Sequence, residues 1–298
     1  MEFVVTLIAA SDGELDAGIV AEAAARLNGL GAETGRADWL AEGRACDLEF
    51  DGLSADQADA AVRIGLDGNP VDVIAQRTEG RRKRLLIADM DSTIVTSETL
   101  TDVAEAAGKG DIIAEITDRV MRGELDFADS LRERVAMLEG LSENALEQAY
   151  GEIGVSPGAE TLVRTMIASG AVTALVSGGF TYFTSRIAQR LGFHINMANE
   201  FIIKDGKLTG KVGEPILART SKYDALVKLS AENGLSLDDT AAIGDGANDL
   251  EMIQAAGLGC AYRGKPILRE AARVKLDHAD LTGLLFAQGF REQEFVTG

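Results

Sequence analysis

Short apolar runs that each stop at a polar or glycine-rich turn constrain this chain more than any other feature. Leu85-Leu86-Ile87-Ala88 stops at Asp89, Val172 to Val176 at Ser177-Gly178-Gly179, and Thr240 to Ile243 at Gly244-Asp245-Gly246, with Leu258 to Ala261 following. Runs this short and continuous suit strands buried on both faces, and helical patterns separate them. Strands alternating with helices give a parallel sheet in an α/β fold, which binds ligands outside the carboxyl ends of its strands. Asp, Ser and Gly thus stand where chemistry is expected. Residues from about 95 to 155 have helical periodicity and few strand signals, so a helical cap inserted after the first core strand is expected. Asp205-Gly206, between Phe201-Ile202-Ile203 and Leu208-Thr209-Gly210, signals a hairpin.

Ahead of this core, residues 1 to 78 read as a strand (Phe3 to Ala9), an Ala-rich helix (Leu15 to Leu30), extended segments near Glu33 to Leu40 and Ala45 to Phe50, a helix (Ala55 to Gly65) and a strand (Pro70 to Ile74). The order βαββαβ matches a ferredoxin-like α+β unit, the topology of small regulatory modules of the ACT type. The basic run Arg81-Arg82-Lys83-Arg84, within residues 79 to 84, reads as a solvated linker to a second domain over 85 to 298. Every residue singled out for chemistry lies at or after Asp89, so residues 1 to 78 are expected to be dispensable for turnover.

Charge narrows the partners. Lys plus Arg number 29 against 48 Asp plus Glu, a net charge of −19 over 298 residues, which repels nucleic-acid phosphates and anionic lipid headgroups. The chain has no apolar stretch near the roughly 18 residues of a membrane span, and no basic segment precedes the apolar run at Phe3, so a cytoplasmic enzyme or binding protein is expected. Cys46 and Cys260 lie far apart without CxxC spacing, and only His194 and His278 accompany them, so they read as reduced, buried thiols and not as zinc ligands.

The segment Asp89-Met90-Asp91-Ser92-Thr93-Ile94-Val95 puts two carboxylates at a strand end, where they can meet one substrate atom as nucleophile and general acid. Ser177 with the Gly178 and Gly179 amides can cradle a phosphoryl group at the next strand end. Lys222 precedes the helical stretch Tyr223 to Leu229, and Asp245 and Asp249 flank the turn after the third run. Taken singly, each feature is also an ordinary turn, cap or surface charge. In this order, all at strand ends, they resemble the haloacid dehalogenase superfamily of phosphotransferases, whose first motif is an apolar run, then DxDxT and an apolar residue. Three carboxylates facing a phosphate dianion call for a hard divalent cation and a fixed ammonium; with only oxygen donors at hand, Mg²⁺ and Lys222 are the expected pair.

More narrowly, the chain resembles the phosphoserine phosphatase family over about Leu85 to Leu285. The signals are Glu98, the run Met121-Arg122-Gly123-Glu124-Leu125-Asp126-Phe127-Ala128-Asp129-Ser130-Leu131-Arg132-Glu133-Arg134-Val135, and Lys265-Pro266-Ile267-Leu268. The resemblance implies hydrolysis of O-phospho-L-serine, the last step of serine biosynthesis, with Asp89 as nucleophile and Asp91 as acid and base. It further implies Mg²⁺ held by Asp89, the backbone carbonyl of Asp91 and Asp245, with Asn248 and Asp249 positioning the metal's waters and the substrate. Ser177, Gly178 and Lys222 would bind the phosphoryl group, Glu98 the substrate ammonium and Arg134 its carboxylate. The implied partner is a small molecule, and a homodimer stays open as an assembly. Two alternatives also remain: the same chemistry on another small phosphomonoester, such as phosphothreonine or a homoserine phosphate, or a ligand sensor with a degenerate core.

Overall fold

The structure, a computed structural model, describes residues 1–121, 124–217 and 220–297; Arg122 and Gly123 of the run quoted above lie outside them, as does Gly298 at the end of the range assigned to the second domain. Strand β1 (Phe3–Ala9) is buried along nearly its whole length, because both faces of its sheet are covered. Val5, Leu7 and Ala9 pack with Val20, Ala23 and Leu27 of α1 (Ala17–Gly29) and with Ala58 and Val62 of α2 (Ala55–Gly65), while Ile8 belongs to the larger apolar core of the chain. Asp16 caps α1 through Ile19 N, and Ser54 with Gln57 forms a capping box on α2, so both helix starts are written locally.

The extended stretch expected over Glu33 to Leu40 is two strands, β2 (Glu33–Thr34) and β3 (Asp38–Ala41), both paired with β4 (Ala45–Asp51). Thr34 faces Phe50 whereas Asp38 faces Asp47, so one extra residue bulges out between them and divides the ladder. With β5 (Val71–Arg77), the antiparallel order is β2-β4-β1-β5, β3 lying off this path on β4.

The reading of 79–84 as solvated holds for Glu79, Gly80, Arg82 and Arg84, which are exposed, and is corrected at Arg81 and Lys83. Arg81 Nη1 lies 2.6 Å from Asp47 Oδ2, both side chains at most 10% exposed, and Thr6 Oγ1 accepts from Arg81 and donates to Asp47. Lys83 Nζ donates to the carbonyls of Gly80 and Asp238. Thr6, Asp47 and Asp238 lie too far along the chain for local pattern to reveal them. Dispensability of residues 1 to 78 is not supported either. Ile8, Leu40, Ala45 and Ile74 share one apolar core with Leu281, Leu284 and Phe290, and Asp72 accepts backbone N–H bonds from Asp277, His278 and Ala279. Removing the N-terminal sheet would strip the cover from that core.

The second sheet starts at β6 (Leu85–Ala88). A helical insertion follows, α3 (Thr99–Ala106), α4 (Gly110–Met121), α5 (Phe127–Ala136) and α6 (Glu143–Glu152), and α7 (Ala159–Ala168) leads back to β7 (Val172–Phe180). Then come α8 (Thr181–Leu191), β8 (Ile195–Asn199), the hairpin β9 (Phe201–Lys204) and β10 (Lys207–Val212), α9 (Ser221–Glu232), β11 (Thr240–Gly244), α10 (Leu250–Ala255), β12 (Leu258–Tyr262), α11 (Pro266–Ala271), β13 (Val274–Leu276) and α12 (Gly283–Ala287). The strands run parallel in the order β13-β12-β11-β6-β7-β8. Asp205 and Gly206 both have positive φ at the hairpin turn, as the dipeptide signalled. The edge strands β8 and β13 escape sequence reading because one is half polar and the other three residues long. Cys46 and Cys260 are free, buried thiols. Among the described residues no helix is long and apolar enough to cross a membrane.

Candidate active site

Strand β6 lies between β11 and β7, so Asp89 and Asp245, directly after β6 and β11, meet Ser177, which lies inside the last stretch of β7. Asp89 accepts from Met90 N at 2.7 Å and caps the turn Met90–Ile94. In that turn Ser92 takes φ +53°, a left-handed conformation that L residues rarely adopt. Asp91 is then held from two sides: its Oδ1 accepts from Thr99 N at 2.9 Å, at the start of α3, and its Oδ2 from Ser177 Oγ at 3.2 Å. Burial of the carboxyl, together with the Asp89 charge, pushes Asp91 up to about 7, the behaviour of an acid that still carries a proton near neutrality.

Lys222 is 5% exposed at the start of α9 and lies between two carboxylates, 2.6 Å from Asp89 Oδ2 and 2.5 Å from Asp249 Oδ1. Burial alone would lower it; Asp89 and Asp249 outweigh that and raise it, so the ammonium is kept. Asp249 Oδ2 accepts from the Asp245 and Gly246 amides, and burial with Asp89 raises Asp249 although Lys222 opposes them. Gly244 is required here, because a Cβ on it would lie 2.3 Å from Asp249 Cγ. Asn248 Nδ2 reaches Asp89 Oδ2 at 3.4 Å.

Asp89, Asp245 and Asp249 offer carboxylate oxygens within 4.8 Å of one another, a hard-oxygen set that fits a divalent cation. Both oxygens of Asp89 and of Asp249 already have partners, Met90 N, Lys222 and Asn248 on Asp89 and Lys222 with two amides on Asp249, so a bound cation would share these carboxylates with the Lys222 ammonium. Sequence reading gave Lys265 no role, yet its Nζ sits 3.1 Å from Asp245 Oδ2. The signal available was its place after β12, the next strand end in the row.

The insertion covers this floor. Phe127, at the start of α5, reaches over Gly178 of β7, so that a Cβ on Gly178 would meet its ring at 3.2 Å. A cleft follows, lined by Phe127, Ser177, Gly178, Leu217, Lys222 and Asn248. Glu98 is exposed and accepts from Ser92 Oγ at 2.8 Å. Arg134 is half-buried in α5; burial lowers its pKa and the Glu98 carboxylate opposes the shift. The sequence-predicted residues Asp89, Asp91, Ser177, Gly178, Lys222, Asp245, Asn248 and Asp249 thus meet on the floor, with Glu98 and Arg134 contributed by the insertion and its approach.

Residues 86–254 match the family described as haloacid dehalogenase-like hydrolase. A phosphoserine phosphatase of Streptomyces coelicolor is 40% identical over 83% of this chain and 60% of its own length, so the chain spans less than two thirds of that relative. One from Streptococcus thermophilus is 45% identical over 67% of this chain and 93% of its own. Among solved structures, a haloacid dehalogenase family hydrolase of Salmonella enterica serovar Typhi superposes with a TM-score of 0.84 at 27% identity, covering 98% of this chain and 99% of that one. A phospho-aspartyl intermediate analogue of phosphoserine phosphatase gives 0.64 at 40% identity, covering 69% and 98%.

Proposed function

The chain belongs to the haloacid dehalogenase-like hydrolases, and from that premise we propose that it is a Mg²⁺-dependent phosphatase hydrolysing O-phospho-L-serine to L-serine and phosphate. The observation that carries the reading is the convergence of Asp89, Asp91, Ser177 and Lys222 on one cleft floor within hydrogen-bonding reach of their neighbours. In this reading residues 85–298 hold the chemistry, residues 1–78 complete the packing behind it, and 79–84 join the two.

Asp89 attacks phosphorus in line; an Asp89 O–P bond forms while the bond from phosphorus to the serine oxygen breaks. Asp91 gives its proton to that departing oxygen, then takes one from the water that attacks the aspartyl-phosphate and frees Asp89. Ser177, the Gly178 amide and the Lys222 ammonium stabilise the equatorial oxygens as charge builds on them. Asp89, the Asp91 carbonyl and Asp245 would hold Mg²⁺, which when bound neutralises phosphoryl charge. Asn248 and Asp249 orient the floor around it, Asp249 through Lys222 and the 245–246 amides.

Substrate choice rests on the insertion. Glu98 takes the ammonium of serine and Arg134 its carboxylate, opposite charges on opposite groups. Arg134→Ala removes a charge-assisted contact worth about 1.5 to 3 kcal/mol, so kcat/KM for phosphoserine is expected to fall by about 10- to 150-fold. Hydrolysis of an aryl phosphate, which has no carboxylate, should change little in the same variant. Equal losses on both substrates would assign Arg134 to the phosphate or to the packing of α5 and return the reading to an unspecified small phosphomonoester.

A further inference from the structure

The phosphoryl-binding stretch Ser177-Gly178-Gly179 lies inside β7 and not in a turn after Val176 as the sequence suggested, and the pairing of β7 with β8 is irregular between Val176 and Phe180, where two consecutive glycines carry the greatest backbone freedom. Side chains would crowd them: a Cβ on Gly178 would meet the Phe127 ring at 3.2 Å, and one on Gly179 would lie 3.0 Å from Ser177 Oγ and 3.1 Å from Asp91 Oδ2. A buried neighbour, Asn199, ties this stretch down. Asn199 ends β8, opposite Phe180 of β7, and is 2% exposed. Its Nδ2 donates to Gly178 O at 2.8 Å and its Oδ1 accepts from Leu217 N at 2.8 Å.

The carbonyl of Gly178 and the N–H of Gly179 belong to one planar peptide unit, so gripping the first aims the second. That N–H donates to Ser177 Oγ at 2.8 Å, and the hydroxyl donates in turn to Asp91 Oδ2 at 3.2 Å. Leu217, on the other arm of the amide, lines the cleft beside Lys222. A carboxamide both donates and accepts, which a carboxylate of the same shape does not. We propose that Asn199 is a positioning residue of the phosphoryl site: it fixes the Gly178–Gly179 peptide, and through it the Ser177 hydroxyl, without touching the substrate. The proposal rests on the phosphatase reading above and concerns the phosphoryl group alone, not the serine.

Asn199→Asp keeps an acceptor for Leu217 N but turns an acceptor toward Gly178 O; Asn199→Ala removes both bonds. In the full chain with Mg²⁺, each is expected to lower kcat on an aryl phosphate by about 10- to 100-fold with KM changed by less than about threefold. Orthovanadate, an oxyanion that reads this stretch whatever the leaving group, should bind more weakly by a similar factor, as measured by calorimetry. Circular dichroism and the melting transition of the Asp variant should match the parent. An Asp variant with parental kcat and orthovanadate affinity, or loss of fold in both variants, would make Asn199 a structural tie only and overturn the proposal. Failure of the parent on phosphoserine would sink the substrate assignment but leave both readouts of Asn199 intact.

Discussion

Asp89→Asn is expected to lower phosphoserine turnover by at least about 10³-fold while the melting transition and substrate binding stay near those of the parent. The amide keeps the shape of the side chain and can still accept from Met90 N, but it has no anionic oxygen with which to form the bond to phosphorus. Folding should tolerate the change, because Asp249 still pairs with Lys222 at 2.5 Å and the mutual repulsion of three clustered carboxylates is relieved. Phosphate release at close to the parental rate would remove Asp89 from the role of nucleophile.

The second large effect lies far from the cleft and bears on stability. Arg81→Ala leaves Asp47, 5% exposed, without the guanidinium that holds it 2.6 Å away, and breaking one side of a buried ion pair costs about 3 to 5 kcal/mol. Chemical denaturation should show that loss as a lower midpoint with an unchanged slope. Pairing Arg81→Met with Asp47→Leu should recover much of it, since the burden is the lone buried charge and not the missing attraction. A loss below about 1 kcal/mol in the single variant would mean that the contact between the N-terminal sheet and the second sheet is loose and that Asp47 finds water. That outcome would restore the expectation of a detachable N-terminal module.

How much the sequence disclosed follows from the range of each signal. Asp89, Asp91, Ser177 and Asp245 were legible because strand ends and their turns are local features, and a parallel sheet gathers the ends of neighbouring strands without help from distant partners. The Asp205-Gly206 turn and the Ser54 capping box are equally local. Arg81 and Lys83 misled for the opposite reason: charge clustering suggests solvent, but Asp47 and Asp238, which absorb these charges, come from remote segments. Asn199 gave no signal because a lone Asn at the end of a short strand looks like the start of a turn. Its meaning appears only when Gly178 and Leu217 are brought to either side of it. Glu98 and Arg134 fall between these cases: resemblance to a family suggested them, and the folded chain puts a half-buried guanidinium within electrostatic reach of an exposed carboxylate.

Phosphate release from a panel of phosphomonoesters tests the central claim most directly. The purified chain, with Mg²⁺ and again after EDTA treatment, would be given O-phospho-L-serine, O-phospho-L-threonine, a homoserine phosphate and an aryl phosphate. The expected result is the highest kcat/KM on phosphoserine, and no release from any of them once the metal is removed. Full activity after EDTA treatment, or phosphoserine cleaved no better than the aryl phosphate, would contradict the account.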